Sequence, residues 1–184
     1  MGRLDSELWR AKLTGVFSTW DRNGDGYISV ADLDEDMTHV AAALNTSTDS
    51  AALAVIEDVY KVWADQIFAD LDKDGDAQIS VEEFLSFFGA ASTEAITDLS
   101  ERYCAAVCVM ADADGDDRLS HAEYVRWAMA ANGASEADAE AAFSALDTSG
   151  DGYITKEELL RAMVEYATSV DDAPGNELFG PVAS

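Results

Sequence analysis

The sequence predicts an all-α protein made of four helix-loop-helix units in two compactly packed pairs, with only short β-bridges between paired loops. Three observations predict this fold. First, aspartate-rich segments of twelve residues recur at 21–32, 72–83, 112–123 and 147–158. Second, apolar residues with helical spacing flank each of these segments. Third, no strand-length run alternates polar and apolar residues. Each repeat is therefore a unit that must pack against its neighbours to bury its apolar face.

The helix that enters each acidic segment carries the same apolar stripe. Counting back eight, five, four and one positions from the start of the segment gives residues that share one face of an α-helix. In the first unit these positions hold Leu13, Val16, Phe17 and Trp20. The exiting helices repeat a second stripe, formed by Leu33 and Met37, by Phe84, Phe87 and Phe88, by Tyr124 and Trp127, and by Leu159 and Met163. These stripes predict a helix on both sides of every loop.

Short polar breaks divide the helices into two pairs and a tail. They predict a first pair over residues 1–90, which contains the first two loops, and a second pair over residues 91–168, which contains the last two. The remaining segment, 169–184, contains both prolines of the chain, and proline does not continue a helix. We expect this C-terminal tail to fold onto the core, because Leu178 and Phe179 give it an apolar edge.

The composition excludes several classes of protein. The 184 residues include 37 acidic and 11 basic side chains, so the formal net charge is -26, while 48% of the residues are hydrophobic. A disordered acidic tail would lack this apolar content, and nucleic-acid binding requires clustered lysine and arginine. An anionic membrane surface would repel the chain, and no apolar run has membrane-spanning length. Without a signal peptide or a disulfide framework, we expect a cytoplasmic monomer.

The acidic loops offer the oxygen atoms that calcium requires. Calcium takes about six to eight oxygen ligands, and the twelve-residue EF-hand loop supplies them from positions 1, 3, 5, 7, 9 and 12, with a backbone carbonyl at position 7. The ligands predicted for the first two loops are Asp21, Asn23, Asp25, Tyr27, Ser29 and Asp32, and Asp72, Asp74, Asp76, Gln78, Ser80 and Glu83. Those predicted for the last two are Asp112, Asp114, Asp116, Arg118, Ser120 and Glu123, and Asp147, Ser149, Asp151, Tyr153, Thr155 and Glu158. The pattern therefore predicts up to four bound calcium ions.

Three positions depart from the EF-hand pattern. Position 6 is normally glycine, but the second loop has Ala77 and the third has Asp117. A left-handed backbone at these residues costs roughly 1–2 kcal/mol. Strain of this size lowers the calcium affinity by about tenfold, which is not enough to abolish a site. These two loops also carry an extra acidic ligand, and the sequence alone does not decide which effect dominates. In the first loop, Asp32 is shorter than the usual glutamate, so we expect weaker calcium binding there and competition from magnesium.

The whole chain resembles the group formed by the sarcoplasmic calcium-binding proteins and calerythrin. The resemblance is carried by the length, the four loops, the long interval between the first two loops and the tail segment from Ala173 to Gly180. It implies a compact protein of paired EF-hands that buffers or transports calcium, with its C-terminal segment folded back onto the core. One or more loops are commonly defective in that group, whereas all four loops here keep their acidic residues.

Two alternative functions stay open beside calcium buffering. A calcium sensor would expose a hydrophobic surface to a partner, or an N-myristoyl group on Gly2, which stands with Ser6 in a loose myristoylation pattern. A small-molecule-binding EF-hand protein of the luciferin type would instead hold its ligand among the four tryptophans. The sequence identifies no protein target for either function.

The remaining reactive side chains predict no further chemistry. No nucleophile stands beside a histidine base, so we do not expect an enzyme. His39 and His121 lack the company of other transition-metal ligands and should face solvent. Cys104 and Cys108 lie four residues apart on one helix face, where we expect them to act as small apolar side chains of the core.

Overall fold

The computed structural model describes residues 2–44, 50–171 and 173–179, and it confirms the all-α fold. The helices are α1 (Glu7–Trp20), α2 (Val30–Ala43), α3 (Ser50–Leu71), α4 (Val81–Ala90), α5 (Thr93–Ala111), α6 (His121–Asn132), α7 (Glu136–Leu146) and α8 (Lys156–Thr168). Single 3-10 turns stand at Arg3–Asp5 and Pro174–Glu177. Among the described residues, no helix is both long and apolar enough to cross a membrane.

Four strands of three residues connect the loops in pairs. They are β1 (Tyr27–Ser29), β2 (Gln78–Ser80), β3 (Arg118–Ser120) and β4 (Tyr153–Thr155). β1 pairs with β2 in antiparallel orientation, with Ile28 opposite Ile79, and β3 pairs with β4, with Leu119 opposite Ile154. These four residues occupy position 8 of their loops and are buried. The predicted short β-bridges are thus confirmed, and each one fixes two loops side by side.

An aromatic cluster links the helices of the first two loops to α5. The ring centroids of Trp20 and Trp63 are 5.1 Å apart, and Tyr103 of α5 lies 5.1 Å from Trp63 and 5.7 Å from Trp20. Phe84 of α4 meets Trp20 at 5.8 Å. Such aromatic pairs contribute about 0.5–1.5 kcal/mol each beyond the area they bury. Because α5 also packs against α8, the buried side chains form one continuous core.

The described part of the tail lies against α1, α6 and α8. Lys12 of α1 is only 1% exposed, and its Nζ donates hydrogen bonds to the Ser169 carbonyl at 2.9 Å and to Asn176 Oδ1 at 2.6 Å. Leu178 is also 1% exposed, and its carbonyl accepts a hydrogen bond from the Tyr124 hydroxyl at 3.5 Å. The tail residues 180–184 lie outside the described residues.

A buried carboxyl group on α2 contacts the first loop. Asp36 is 5% exposed, and its Oδ2 accepts a hydrogen bond from the Tyr60 hydroxyl at 3.0 Å. Its Oδ1 lies 3.5 Å from Arg22 Nε and accepts no hydrogen bond from the described residues. Burial raises the pKa of Asp36, and the hydrogen bond from Tyr60 and the positive charge of Arg22 only partly oppose this effect.

Asp36→Asn should change the pH dependence of stability. Because burial raises the folded-state pKa of Asp36, its contribution to stability is present below the ordinary aspartate pKa and is lost as the pH rises through the folded-state pKa. The asparagine keeps an acceptor for Tyr60 without a charge, so the variant should gain stability relative to the unsubstituted protein as the pH rises. Chemical denaturation between about pH 4 and 7 measures this difference. The control is Asp58→Asn, at an exposed position of α3, and a pH-independent difference for Asp36→Asn would contradict the prediction.

Candidate metal centres

The first aspartate of every loop folds the loop around its own carboxylate. In each loop, one oxygen of this side chain accepts a hydrogen bond from the backbone N–H at position 6. The pairs are Asp21 with Gly26 at 2.9 Å, Asp72 with Ala77 at 3.1 Å, Asp112 with Asp117 at 3.0 Å and Asp147 with Gly152 at 2.9 Å. This contact holds the sharp turn of the loop around its first predicted ligand.

The aspartate at position 5 makes the next turn of each loop. Its Oδ1 accepts a hydrogen bond from the backbone N–H at position 7, where the chain enters the short strand. The pairs are Asp25 with Tyr27 at 3.0 Å, Asp76 with Gln78 at 2.8 Å, Asp116 with Arg118 at 3.2 Å and Asp151 with Tyr153 at 3.0 Å. The structure therefore places the predicted side-chain ligand at position 5 and the predicted carbonyl ligand at position 7 in the same geometry in all four loops.

The carboxylate at position 12 closes each loop from the exiting helix. It belongs to the third residue of that helix, and the Ser or Thr at position 9 is the N-cap, so the two form a capping box. In the second loop, Glu83 accepts one hydrogen bond from the Ser80 N–H and another from the Lys73 N–H, both at 2.9 Å. Glu123 accepts the equivalent bond from the Ala113 N–H at 2.8 Å. One side chain thus joins the beginning and the end of the loop.

The first and fourth loops close through the backbone at position 3 instead. Asp32 accepts a hydrogen bond from the Asn23 N–H at 3.1 Å, and Glu158 accepts one from the Ser149 N–H at 3.0 Å. Burial favours the neutral form of Glu158, but hydrogen bonds from Thr155, Ser149 and Thr148 outweigh it and lower the pKa to about 2. The same balance lowers the pKa of the position-12 side chain in the other three loops. All four carboxylates are therefore negatively charged at neutral pH.

Two loops bring three carboxylates within reach of a single ion. Asp72, Asp74 and Asp76 each offer an oxygen within 4.8 Å of the others, and Asp112, Asp114 and Asp116 do the same. In the third loop, desolvation and the nearby charges of Asp116 and Glu123 raise the pKa of Asp114. Three carboxylates this close together fit calcium for two reasons. The cation neutralises their mutual repulsion, and it prefers oxygen ligands.

The two loops without glycine at position 6 adopt the same turn as the others. Ala77 has φ of 66° and Asp117 has φ of 64°, beside 92° for Gly26 and 85° for Gly152. Both residues thus adopt the left-handed conformation although neither is glycine. In this conformation their backbone N–H groups donate hydrogen bonds to the aspartate at position 1. For alanine this conformation is strained by roughly 1–2 kcal/mol, whereas aspartate tolerates it better.

The Arg118 side chain forms an ion pair with Asp116, a predicted ligand. The sequence pattern did not predict this ion pair. Arg118 Nε donates a hydrogen bond to Asp116 Oδ2 at 2.8 Å. Its guanidinium lies 3.6 Å from the ring centroid of Tyr153 in the neighbouring loop. An arginine inside an acidic loop is the only sequence signal for this pair. The contact links the third and fourth loops and partly neutralises Asp116.

The sequence matches known families along most of its helix-loop-helix units. Residues 10–89 match the EF-hand domain pair, and residues 138–167 match the EF-hand domain. The probable calcium-binding protein CML29 of Arabidopsis thaliana is 37% identical over 81 residues, which cover 44% of this chain and 78% of that protein. The chain therefore belongs to the EF-hand family of calcium-binding proteins, and calcium is its ligand.

Longer matches indicate its place within this family. Calerythrin of Saccharopolyspora erythraea is 24% identical over 162 residues, which cover 84% of this chain and 89% of calerythrin. A calcium-binding protein of Streptomyces coelicolor with a solved structure is 26% identical in sequence. The two structures superpose with a TM-score of 0.75 over 87% of this chain and 98% of the Streptomyces coelicolor chain. The sarcoplasmic calcium-binding protein of amphioxus, 18% identical, shares the fold with a TM-score of 0.75 over 95% of this chain and 97% of its own. The predicted resemblance to this group is confirmed.

Ala77→Gly should increase the calcium affinity of the second loop. Glycine adopts the left-handed conformation without strain, so we expect a gain of up to about tenfold, which corresponds to roughly 1.4 kcal/mol. Asp117→Gly should give a smaller gain, because aspartate is less strained there. Calcium titration calorimetry measures both effects. Gly26→Ala is the reverse control in the first loop and should weaken binding, while an unchanged affinity in Ala77→Gly would show that strain does not limit the site.

Proposed function

We propose that this protein is a calcium buffer that binds one ion in each of its four loops. The observation that carries the proposal is the equivalent closure of all four loops, in which aspartate at position 1 and the carboxylate at position 12 hold the loop backbone. The proposed ligands are the residues at positions 1, 3, 5, 7, 9 and 12 of each loop. In this assignment no loop is reserved for a purely structural role.

The residues of each loop hold the proposed ligands in position. The carboxylate at position 12 is ionised at neutral pH and lies beside the other end of the loop. The aspartates at positions 1 and 5 are held by backbone hydrogen bonds, so their oxygens need little reorientation. A bound calcium ion supplies the positive charge that offsets the repulsion among these groups. Reversible binding of this kind controls the concentration of free calcium.

The packing of the tail supports buffering over sensing. We propose that the chain is organised as one pair of EF-hands over 1–90, a second over 91–168 and a tail over 169–184 that occupies the apolar surface a sensor would offer to a target. Leu178 is buried against the second pair, and Phe179 packs on Tyr166 with ring centroids 4.9 Å apart. Because the tail covers this apolar surface, the surface is buried without a partner protein.

The small-molecule alternative receives little support from the interior. A cavity between the helices is lined by aromatic side chains that include Trp20, Trp63 and Tyr103, and its volume is about 50 Å³. Ligand pockets usually have about 300–1,000 Å³, and even benzene occupies an engineered cavity of about 150 Å³. One observation supports the sensor alternative. The similar calcium-binding protein of Streptomyces coelicolor acts in calcium-mediated regulation.

The stoichiometry of calcium binding tests the proposed sites. Calorimetry and native mass spectrometry should show four ions per chain at saturation, and magnesium should compete most strongly at the first loop. Asp32→Glu should increase calcium affinity at this loop and reduce the magnesium effect, because the longer side chain can present both oxygens to the ion. Glu83→Asp is the reciprocal control in the second loop. Two or fewer calcium ions per chain would contradict the proposal.

Dye binding distinguishes a buffer from a sensor. For a buffer, addition of calcium should produce little fluorescence from the dye ANS, because the tail covers the apolar surface. Leu178→Ala should lower the stability of the calcium-loaded protein by about 2–5 kcal/mol and increase ANS fluorescence, since it removes a buried side chain. Val62→Ala, at an exposed position of α3, should change neither. Strong ANS binding by the unsubstituted protein on calcium addition would instead favour the sensor function.

A further inference from the structure

An ion pair joins the start of the first loop to the middle of its exiting helix. Arg22 stands at position 2 of the loop, and its Nε lies 3.5 Å from Asp36 Oδ1 on α2. The two side chains are 22% and 8% exposed, so solvent and salt screen this pair less than a surface pair. The other oxygen of Asp36 accepts a hydrogen bond from the Tyr60 hydroxyl of α3. The carboxylate is thus held between the first loop and the helix that leads into the second.

The acidic residue of this pair occupies a position that is apolar in the other three units. Counting fifteen residues on from the first aspartate of each loop gives Asp36 in the first unit. The same count gives Phe87, Trp127 and Ala162 in the others. Burying a charged group costs free energy that its partners must offset. The first unit therefore carries a costly group at a place where the repeated fold does not require one.

The first loop is also the one with a short side chain at position 12. Asp32 Oδ1 accepts a hydrogen bond from the Asn23 N–H at 3.1 Å, and Glu158 makes the equivalent contact at 3.0 Å in the fourth loop. Because aspartate has one methylene fewer, it makes this contact only while the first turn of α2 stays close to the start of the loop. Arg22 directly precedes Asn23, and Asp36 lies one helical turn beyond Asp32 on the same face of α2. The ion pair thus acts between the two segments that Asp32 has to bridge.

The fourth loop connects the same two segments with other side chains. Thr148 at position 2 donates a hydrogen bond to Glu158 Oε1 at 3.0 Å and accepts one from Arg161 of α8 at 2.6 Å. A side chain at position 2 therefore reaches the exiting helix in both loops that close through the backbone at position 3. In the second loop, which closes through the backbone at position 2, the side chain of Lys73 is exposed. A link from position 2 to the exiting helix accompanies one mode of loop closure.

We propose that Arg22 and Asp36 are positioning residues of the first calcium site, whose ion pair holds α2 against the start of the loop so that Asp32 reaches the ion. This inference rests on the proposed binding of calcium by the first loop. Neither residue is a ligand, and both act through the placement of Asp32. Tyr60 fixes the direction of the Asp36 carboxylate and connects this placement to α3. The pair offsets the reach that the loop loses by having aspartate instead of glutamate at position 12.

Two substitutions with opposite changes of charge test this role at neutral pH. Arg22→Gln removes a positive charge beside the loop, and Asp36→Asn removes a negative one. Electrostatics alone would raise the calcium affinity of the first loop in Arg22→Gln and lower it in Asp36→Asn. The proposal instead predicts binding weaker by about tenfold in both variants, as for other groups that orient a metal ligand. The NMR signal of the Gly26 N–H, which donates to Asp21, reports on this loop during calcium titration against a competing chelator.

The dependence on residue 32 separates positioning from a general loss of structure. In an Asp32→Glu background the longer side chain reaches the ion without the pair. Arg22→Gln and Asp36→Asn should then cost clearly less affinity, so that their effects do not add to that of residue 32. Asp36→Asn should leave the metal-free protein no less stable at neutral pH, because burial disfavours the charged form of Asp36. A role limited to stability would not produce weaker calcium binding in a variant that is equally stable.

A matched control and the folding of the variants complete the experiment. Lys73→Gln removes the positive charge at the equivalent position of the second loop and should not weaken calcium binding there. Circular dichroism verifies folding, and Arg22→Gln at its partly exposed position keeps the test informative if Asp36→Asn unfolds.

The possible outcomes distinguish this inference from the proposed function. Unchanged or tighter calcium binding at the first loop in Arg22→Gln would overturn the inference and leave the four calcium sites in place. An equal loss of affinity with aspartate and with glutamate at residue 32 would also overturn it. If the Gly26 signal of the unsubstituted protein did not respond to calcium, the first loop would not be a calcium site, and the proposed function would fail together with the inference.

Discussion

The capping box at the start of each exiting helix is the interaction on which the structure depends. The same two residues begin the helix and end the loop, since the N-cap is position 9 and the capping carboxylate is position 12. Because that carboxylate also accepts a hydrogen bond from the beginning of the loop, helix direction and loop closure are coupled. Glu158 shows the result, with one oxygen bonded to Thr155 and the other to Ser149. A change in the loop must therefore act on the exiting helix.

The core transmits this coupling between the loops. Each short strand places its buried residue at position 8 against the partner loop, as Ile28 does with Ile79. The entering helices then meet in the aromatic cluster of Trp20, Trp63 and Tyr103, which joins α1, α3 and α5. A movement of one exiting helix cannot be absorbed locally, because close-packed side chains on several helices share the same contacts. The position of each loop is therefore fixed together with the helices on both sides of it.

The sequence predicted the parts of the structure that depend on spacing along the chain. Helix positions, loop boundaries and the buried residues at position 8 follow from a repeated pattern, and Cys104 lies in the core as expected. The contacts that were missed depend on groups brought together by folding. Arg118 reaches Asp116 locally but stacks on Tyr153 only because β3 and β4 pair. Asp36 is buried because α3 places Tyr60 above it, and nothing in the sequence of α2 indicates this.

Two of the few basic residues contact helix ends and not the acidic loops. Lys12 donates to the carbonyl of Ser169 at the end of α8, and Arg3 donates to those of Phe88 and Ala91 at the end of α4. Positive charge at a helix C-terminus interacts favourably with the helix dipole and satisfies carbonyl groups that lack a partner in the helix. These two cations stabilise helix ends and do not neutralise the loops, where only Arg118 pairs with a predicted ligand among the described residues. The loops therefore keep their negative charge, and calcium is the counter-ion that their oxygen ligands select.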